Sequence, residues 1–316
     1  MDVLVYLPLV IPVLAALSGR TLAERLPPRT ATWLLTISAV TLAGASCAML
    51  GLLAMAAAMR LSAVDSLGGL SIPVISRSDL APLPLGLVAA GLLAAAAVAA
   101  LRAAWLRTSA LVAVNRQARS LPGGGPVVVI ADDSVDAYTV PGWPGKVVVT
   151  SGMLAALTDR EREVLLAHER AHAAGRHYLF TAAVRLSAAA NPLLRPLAAA
   201  VGYSVERWAD EQAAAATGSR PLTARTIAKA ALAASAAPSE RPSSVAVLAA
   251  VPGPDLIRRS GSVPRRVDAL LCPPPRHSLM LLGLVVGVLV VSGLSAVGAA
   301  GDLHALIEFA QSAAVT

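Results

Sequence analysis

Charge is scarce in this chain. Only 14% of its 316 residues are charged, against about a quarter in a soluble globular domain. The uncharged residues gather in long runs near both ends, which argues against an ordinary soluble domain and for membrane spans. Aromatic residues are also few, at 3%, and no basic stripe interleaves with them, so no direct nucleic-acid partner is expected. Lysine occurs only at Lys146 and Lys229, so the net charge of +7 rests on arginine, the residue expected to flank spans on the cytosolic side. The two cysteines, Cys47 and Cys272, lack metal-type spacing, which leaves two free thiols and no disulfide framework.

Four segments are apolar enough to span a bilayer, which takes roughly 20 residues each: about 3–18, 31–59, 80–106 and 279–300. The first has no basic region before it, only Asp2, and so does not read as a signal peptide. Loop 20–30 carries Arg20, Arg25 and Arg29 against Glu24, whereas the tail 301–316 has no Lys or Arg. The arginine bias places loop 20–30 in the cytosol and loop 60–79, both termini and the short tail outside. The expectation is a multi-pass plasma (inner) membrane protein. Residues 1–106 hold three spans, 107–275 form a cytosolic domain, and a fourth span follows.

Within that domain, residues 126–131 and 146–150 read as strands, being β-branched runs bounded by turn residues, and 136–140 reads as a third short strand closed by Pro141-Gly142-Trp143-Pro144-Gly145. Thr158-Asp159-Arg160-Glu161 has the form of a capping box and opens a helix expected to run to about His177. A second helix is expected over 204–217, stopped by Gly218. Residues 236–264, rich in Pro, Ser and Gly, read as a loop.

The first of these helices contains His168-Glu169-Arg170-Ala171-His172. Histidines at i and i+4 share one helical face, so both imidazoles can reach a single zinc ion, with the intervening Glu169 near enough to work on a water beside it. A catalytic zinc takes three protein ligands and keeps one position open. Glu206 is the candidate third ligand. Asp210 lies four residues on, on the same face, and is the candidate orienting acceptor for a ligand histidine. Glu211, the competitor, sits on a different face. His177 falls about 140° round a continuous helix from His172 and reads as a solvated-face residue. His277 and His304 default to structural or solvated roles. Arg265, Arg266 and His277 are weak candidates for oxyanion stabilisation. The mechanism this implies has zinc polarising the scissile carbonyl and Glu169 as general base and acid. Strand 136–140 is expected to receive an extended peptide by strand addition.

Residues 178–203 are apolar but too short to cross out and back, which would take about 40 residues. They also carry Arg185, Arg195 and the break at Asn191-Pro192. An interfacial or dipping segment is expected there, with the zinc close to the membrane surface.

His168-Glu169-Arg170-Ala171-His172, the break Asn191-Pro192-Leu193-Leu194, and Glu206-Arg207-Trp208-Ala209-Asp210, with three spans before the site and one after, resemble the gluzincin membrane metallopeptidases of the antirepressor type. The resemblance implies a mainly α membrane protein with an α+β zincin-like domain between the third and fourth spans. It also implies cleavage of a cytosolic winged-helix DNA-binding repressor; homodimerisation is left open. No external penicillin-binding domain of the kind carried by the best-known members is expected after the last span. No Ser-x-x-Lys occurs either, since Trp143 and Thr226 stand three residues before the two lysines. The alternative resemblance is to prenyl-peptide and stress-response, quality-control membrane zinc proteases. A non-catalytic scaffold with a structural metal site is disfavoured, because a closed site usually draws on cysteine.

Overall fold

The computed structural model describes residues 7–58, 82–120, 125–142, 145–236, 262–275 and 278–315. Three long helices come first: α1 (Leu7–Arg25), α2 (Pro28–Ala58) and α3 (Leu83–Ser120). They are followed by strands β1 (Val127–Ile130), β2 (Ala137–Val140) and β3 (Lys146–Thr150), then α4 (Ser151–Ala156), α5 (Asp159–Ala174) and α6 (His177–Ala190). A 3₁₀ turn at Pro192–Leu194 leads into α7 (Arg195–Thr217), α8 (Arg220–Ala236), α9 (Val263–Leu271) and α10 (Leu279–Val315).

By length and composition, two helical stretches among the described residues suffice to cross a membrane: Pro28–Ala58 and Leu83–Arg116. The apolar part of α10, Leu279–Ser295, is shorter. α3 does not stop near residue 106, as the sequence reading had it, but runs on to Ser120. Its far end reaches the sheet, where Val114 packs with Val140 and Val148. Residues 301–315, expected as a plain tail, continue the helix α10.

The three expected strands form one sheet in the order β1-β3-β2. β1 runs parallel to β3 (Val127↔Val147) and β2 antiparallel to it (Ala137↔Val149). The central strand β3 is buried on both faces from Val147 to Thr150, as a β-branched run without alternation should be. Its partner β2 is an edge strand among the described residues. One face of the sheet packs Ala137, Val147 and Val149 against Met153 of α4, Leu165 of α5 and Leu157 between them.

A larger core joins the first two helices to α6 and α7. Leu26, Leu35 and Leu42 meet Phe180, Val184, Leu194, Leu197 and Val201. The segment 178–203 is therefore a helical hairpin laid against α1 and α2. Its tip is fixed where Asn191 donates from Nδ2 to Ser46 Oγ on α2 at 3.1 Å. Asn191 also accepts from Leu193 N at 3.1 Å, which turns the chain ahead of Pro192. Most of the stretch expected as a loop, residues 237–261, lies outside the described residues.

Candidate metal centre

α5 begins as its sequence dictates: Thr158 N donates to Glu161 Oε2 at 2.9 Å, one half of a capping box. Lys229 Nζ of α8 meets the same oxygen at 2.6 Å, and these contacts hold Glu161 at about 2, well below the ordinary carboxylate range. The helix then carries His168, Glu169 and His172 into the interior, all buried.

α7 supplies the other half of the site. It ends at Gly218, whose φ of 70° is the left-handed conformation that glycine tolerates and that closes a helix. Glu206 and Asp210, one turn apart, face α5. His168 Nε2 and His172 Nε2 lie 3.0 Å apart, and each is 3.7 Å from a Glu206 oxygen. The three donor groups lie within 4.8 Å of one another. Two imidazole nitrogens and a carboxylate converging on one buried point is a donor set that fits a divalent metal. The charge balance fits as well. The acids Glu169, Glu206 and Asp210 are buried around the Arg266 guanidinium, and a divalent cation would offset negative charge that remains there.

Asp210 stands where the sequence pattern put it, with Oδ1 2.9 Å from His168 Nδ1. Burial alone would raise its carboxyl. The paired Arg266 guanidinium outweighs that and holds Asp210 at about 2. Asp210 in turn raises His168, against the opposing pull of burial. Glu211, on the other face of α7, pairs with Arg220 rather than the site.

Arg266, on sequence a weak candidate for oxyanion stabilisation, takes a different place in the structure. It is buried, donating from Nε and Nη2 to the two oxygens of Asp210 at 2.8 and 2.7 Å. Its Nη1 lies 3.0 Å from Glu206 Oε2. It therefore clamps the candidate ligand and the orienting acid together. Its helix α9 is held by Arg220, which donates to the carbonyls of Ala269, Leu270 and Cys272 at the C-terminal end. Arg265 points away from the centre and pairs with Glu24 of α1 at 3.0 Å. His277 lies outside the described residues.

Glu169 Oε2 accepts from Thr139 Oγ1 of β2 at 2.8 Å, and the same hydroxyl reaches the Glu169 carbonyl at 2.8 Å. Oε1 is buried with no hydrogen-bond partner among the described residues. Burial pushes Glu169 up to about 7, although the His168 charge and the Thr139 hydrogen bond oppose it. A carboxyl half-protonated near neutrality, with one oxygen held and one open, is suited to moving a proton.

His177 departs most from the sequence reading. The helix does not run through it: α5 ends at Ala174, and Arg176 adopts a left-handed φ of 48°. That turn carries His177 inward, to 0% exposure, instead of onto a solvated face. Its Nδ1 lies 2.8 Å from His172 Nδ1. Burial brings His177 down to about 4, and burial with the neighbouring imidazoles takes His172 well below its usual range, so His172 stays in the neutral form that ligates metals.

The chain matches the model of Peptidase family M48 over residues 100–237. That span holds the sheet, α5, α6, α7 and α8, with both histidines, Glu169, Glu206 and Asp210, and stops short of Arg266. The match covers less than half of the chain and supports a metallopeptidase; peptidases of that family are zinc-dependent. No curated protein and no solved structure matches the chain.

Proposed function

We propose that this protein is an integral-membrane zinc metalloendopeptidase that cleaves a cytosolic winged-helix DNA-binding repressor. The observation that carries the peptidase reading is the convergence of His168, His172 and Glu206 beside a carboxyl, Glu169, raised to about 7. His168, His172 and Glu206 would hold a zinc ion, which when bound would supply Lewis-acid polarisation of a water and of the scissile carbonyl. Glu169 removes a proton from the attacking water and delivers it to the leaving amine. Asp210, with Oδ1 2.9 Å from His168 Nδ1, aims that ring, while Arg266 keeps Asp210 and Glu206 in register. The edge strand β2 receives the substrate in extended form, and Thr139 ties that strand to Glu169.

The placement at the membrane is supported by the same contacts. Arg207, next to Glu206, donates to the Ala23 carbonyl at 2.8 Å, at the end of α1. This end belongs to the arginine-rich loop 20–30, whose charge bias marks the cytosolic side. The hairpin tip, by contrast, docks at Ser46, 18 residues into α2 from Pro28, or about 27 Å along that helix. The hairpin dips beside α2 while the metal centre stays at the cytosolic rim.

The repressor as substrate rests on the antirepressor resemblance. One observation favours a second reading, quality-control proteolysis: an edge strand recognises backbone and tolerates many sequences. Comparing cellular protein fragments under the wild type and Glu169→Gln in the native host separates the two. Loss of one small DNA-binding repressor under the wild type alone supports the first reading. Broad changes among membrane proteins support the second, and identical fragment patterns contradict both.

A further inference from the structure

We infer that His177 is a positioning residue that fixes the tautomer and aim of His172, so that the two ligand histidines are oriented by chemically different partners. The inference rests on the zinc reading of the site. For His172 to ligate through Nε2, the atom facing His168 and Glu206, the proton of its neutral ring must sit on Nδ1. That N–H needs an acceptor. The atom 2.8 Å away is His177 Nδ1, so His177 takes the Nε2–H tautomer and offers the Nδ1 lone pair.

Two features of the backbone serve this contact. On a continuous helix, residue 177 would point about 140° away from residue 172. Arg176 enters the left-handed region at φ 48°, which is unfavourable for a non-glycine residue and persists only where the surroundings impose it. Gly175 leaves room for the returning ring: a Cβ there would stand 2.4 Å from His177 Nε2. The ring is then wedged in place. It packs on Trp208, with centroids 4.6 Å apart, and meets His172 nearly edge-on at 88°. Trp208 lies on α7 two residues from Glu206, so the element that carries the carboxylate ligand also braces the ring that orients His172.

The asymmetry has a charge rationale. His168 is oriented by the carboxylate of Asp210, itself balanced by Arg266. A second carboxylate behind His172 would add negative charge to an interior that already buries Glu169, Glu206 and Asp210. A neutral imidazole acceptor fixes the tautomer without that charge.

The test uses the full-length protein in detergent and measures zinc affinity by chelator competition, together with the visible spectrum of the Co(II)-loaded form. His177→Phe keeps a ring on Trp208 but removes the acceptor. It should weaken zinc binding about 10–100-fold and alter the Co(II) bands, the size of effect expected for loss of an orienting partner. His177→Gln restores an acceptor and should recover most of the affinity. A Phe variant with wild-type affinity and spectrum overturns the inference. Nitrogen-15 NMR of histidine-labelled, zinc-loaded wild type tests it without any substitution. His172 should carry its proton on Nδ1 and His177 on Nε2, and a proton on His177 Nδ1 would refute the assignment. Wild type that takes up no zinc overturns the functional reading and this inference together. Zinc-binding wild type with an indifferent His177 overturns this inference alone.

Discussion

The centre around His168 and the outer face of α3 are opposite in polarity to what a water-soluble protein would show. At the centre, Glu169, Asp210 and Arg266 are each 1% exposed. On α3, Val98, Leu101 and Trp105 are 66%, 71% and 74% exposed. Each arrangement alone would be costly in water. Buried ionised groups persist only when paired, and the centre meets that condition through Arg266, Thr139 and the His168–Asp210 contact. An exposed run of large apolar side chains on a helix, broken only by Arg102, is disfavoured in water and would be accommodated by a bilayer. One region is organised by specific polar contacts; the other asks only for length and hydrophobicity. Their sensitivity to substitution should differ accordingly.

The largest effect is expected at Glu169. Glu169→Gln keeps the shape but cannot shuttle a proton, so cleavage should fall about 10²–10⁴-fold while zinc content is unchanged. A variant that lost both would place Glu169 among the ligands. The pH dependence follows in sign. The base must be deprotonated, and burial raises Glu169 to about 7, so kcat/KM should rise with pH through an acid limb at or below that value, a bound cation shifting it downward. An activity that fell with rising pH across this range would exclude Glu169 as the base.

Next comes Arg266. Arg266→Gln leaves Asp210 and Glu206 buried without their guanidinium, which should cost about 3–5 kcal/mol in stability. Thermal unfolding of the metal-free protein measures this without reference to activity. A variant as stable as wild type would show the clamp to be dispensable. On the other side of the comparison, Val98→Arg introduces a charge near the middle of α3. It should cost insertion about 2.5–3.5 kcal/mol, read as a shift from membrane to soluble fractions. Unchanged partitioning would mean that this face meets protein rather than lipid.

The smallest effect is expected at Lys229, which is partly exposed although its partner Glu161 is buried. Lys229→Met should cost at most about 1 kcal/mol. Glu161 is depressed to about 2, so its contribution is present above the unfolded carboxylate value, near 4.3, and is lost as pH falls toward 2. The variant should flatten the stability profile in that acidic window and nowhere else.

What the sequence disclosed of the site follows from periodicity. His168 with His172, and Glu206 with Asp210, are i, i+4 pairs, so helical geometry alone puts each pair on one face. The capping box at Thr158 and the stop at Gly218 are local signals, and both were legible. Arg266 was not. Its partner Asp210 lies 56 residues away, and no spacing rule connects them. Thr139 escaped for the same reason, since its contact with Glu169 is made across the sheet–helix interface. His177 was misplaced because the reading assumed an unbroken helix. The left-handed turn at Arg176 is imposed by tertiary packing against Trp208 and His172, against the local preference of an arginine. The apolar segment 178–203 was too short for two crossings by count, but only packing reveals that it lies along α2.

If His168, His172 and Glu206 form one zinc site that drives peptide-bond hydrolysis, metal and activity must be gained and lost together. The decisive experiment titrates the metal-stripped, full-length protein with zinc while following peptide cleavage in the same sample, beside His168→Ala. One equivalent should bind, activity should appear in step with occupancy, and neither should be seen in the variant. Tight stoichiometric zinc binding that persists in His168→Ala, or cleavage that ignores zinc, would contradict that assignment.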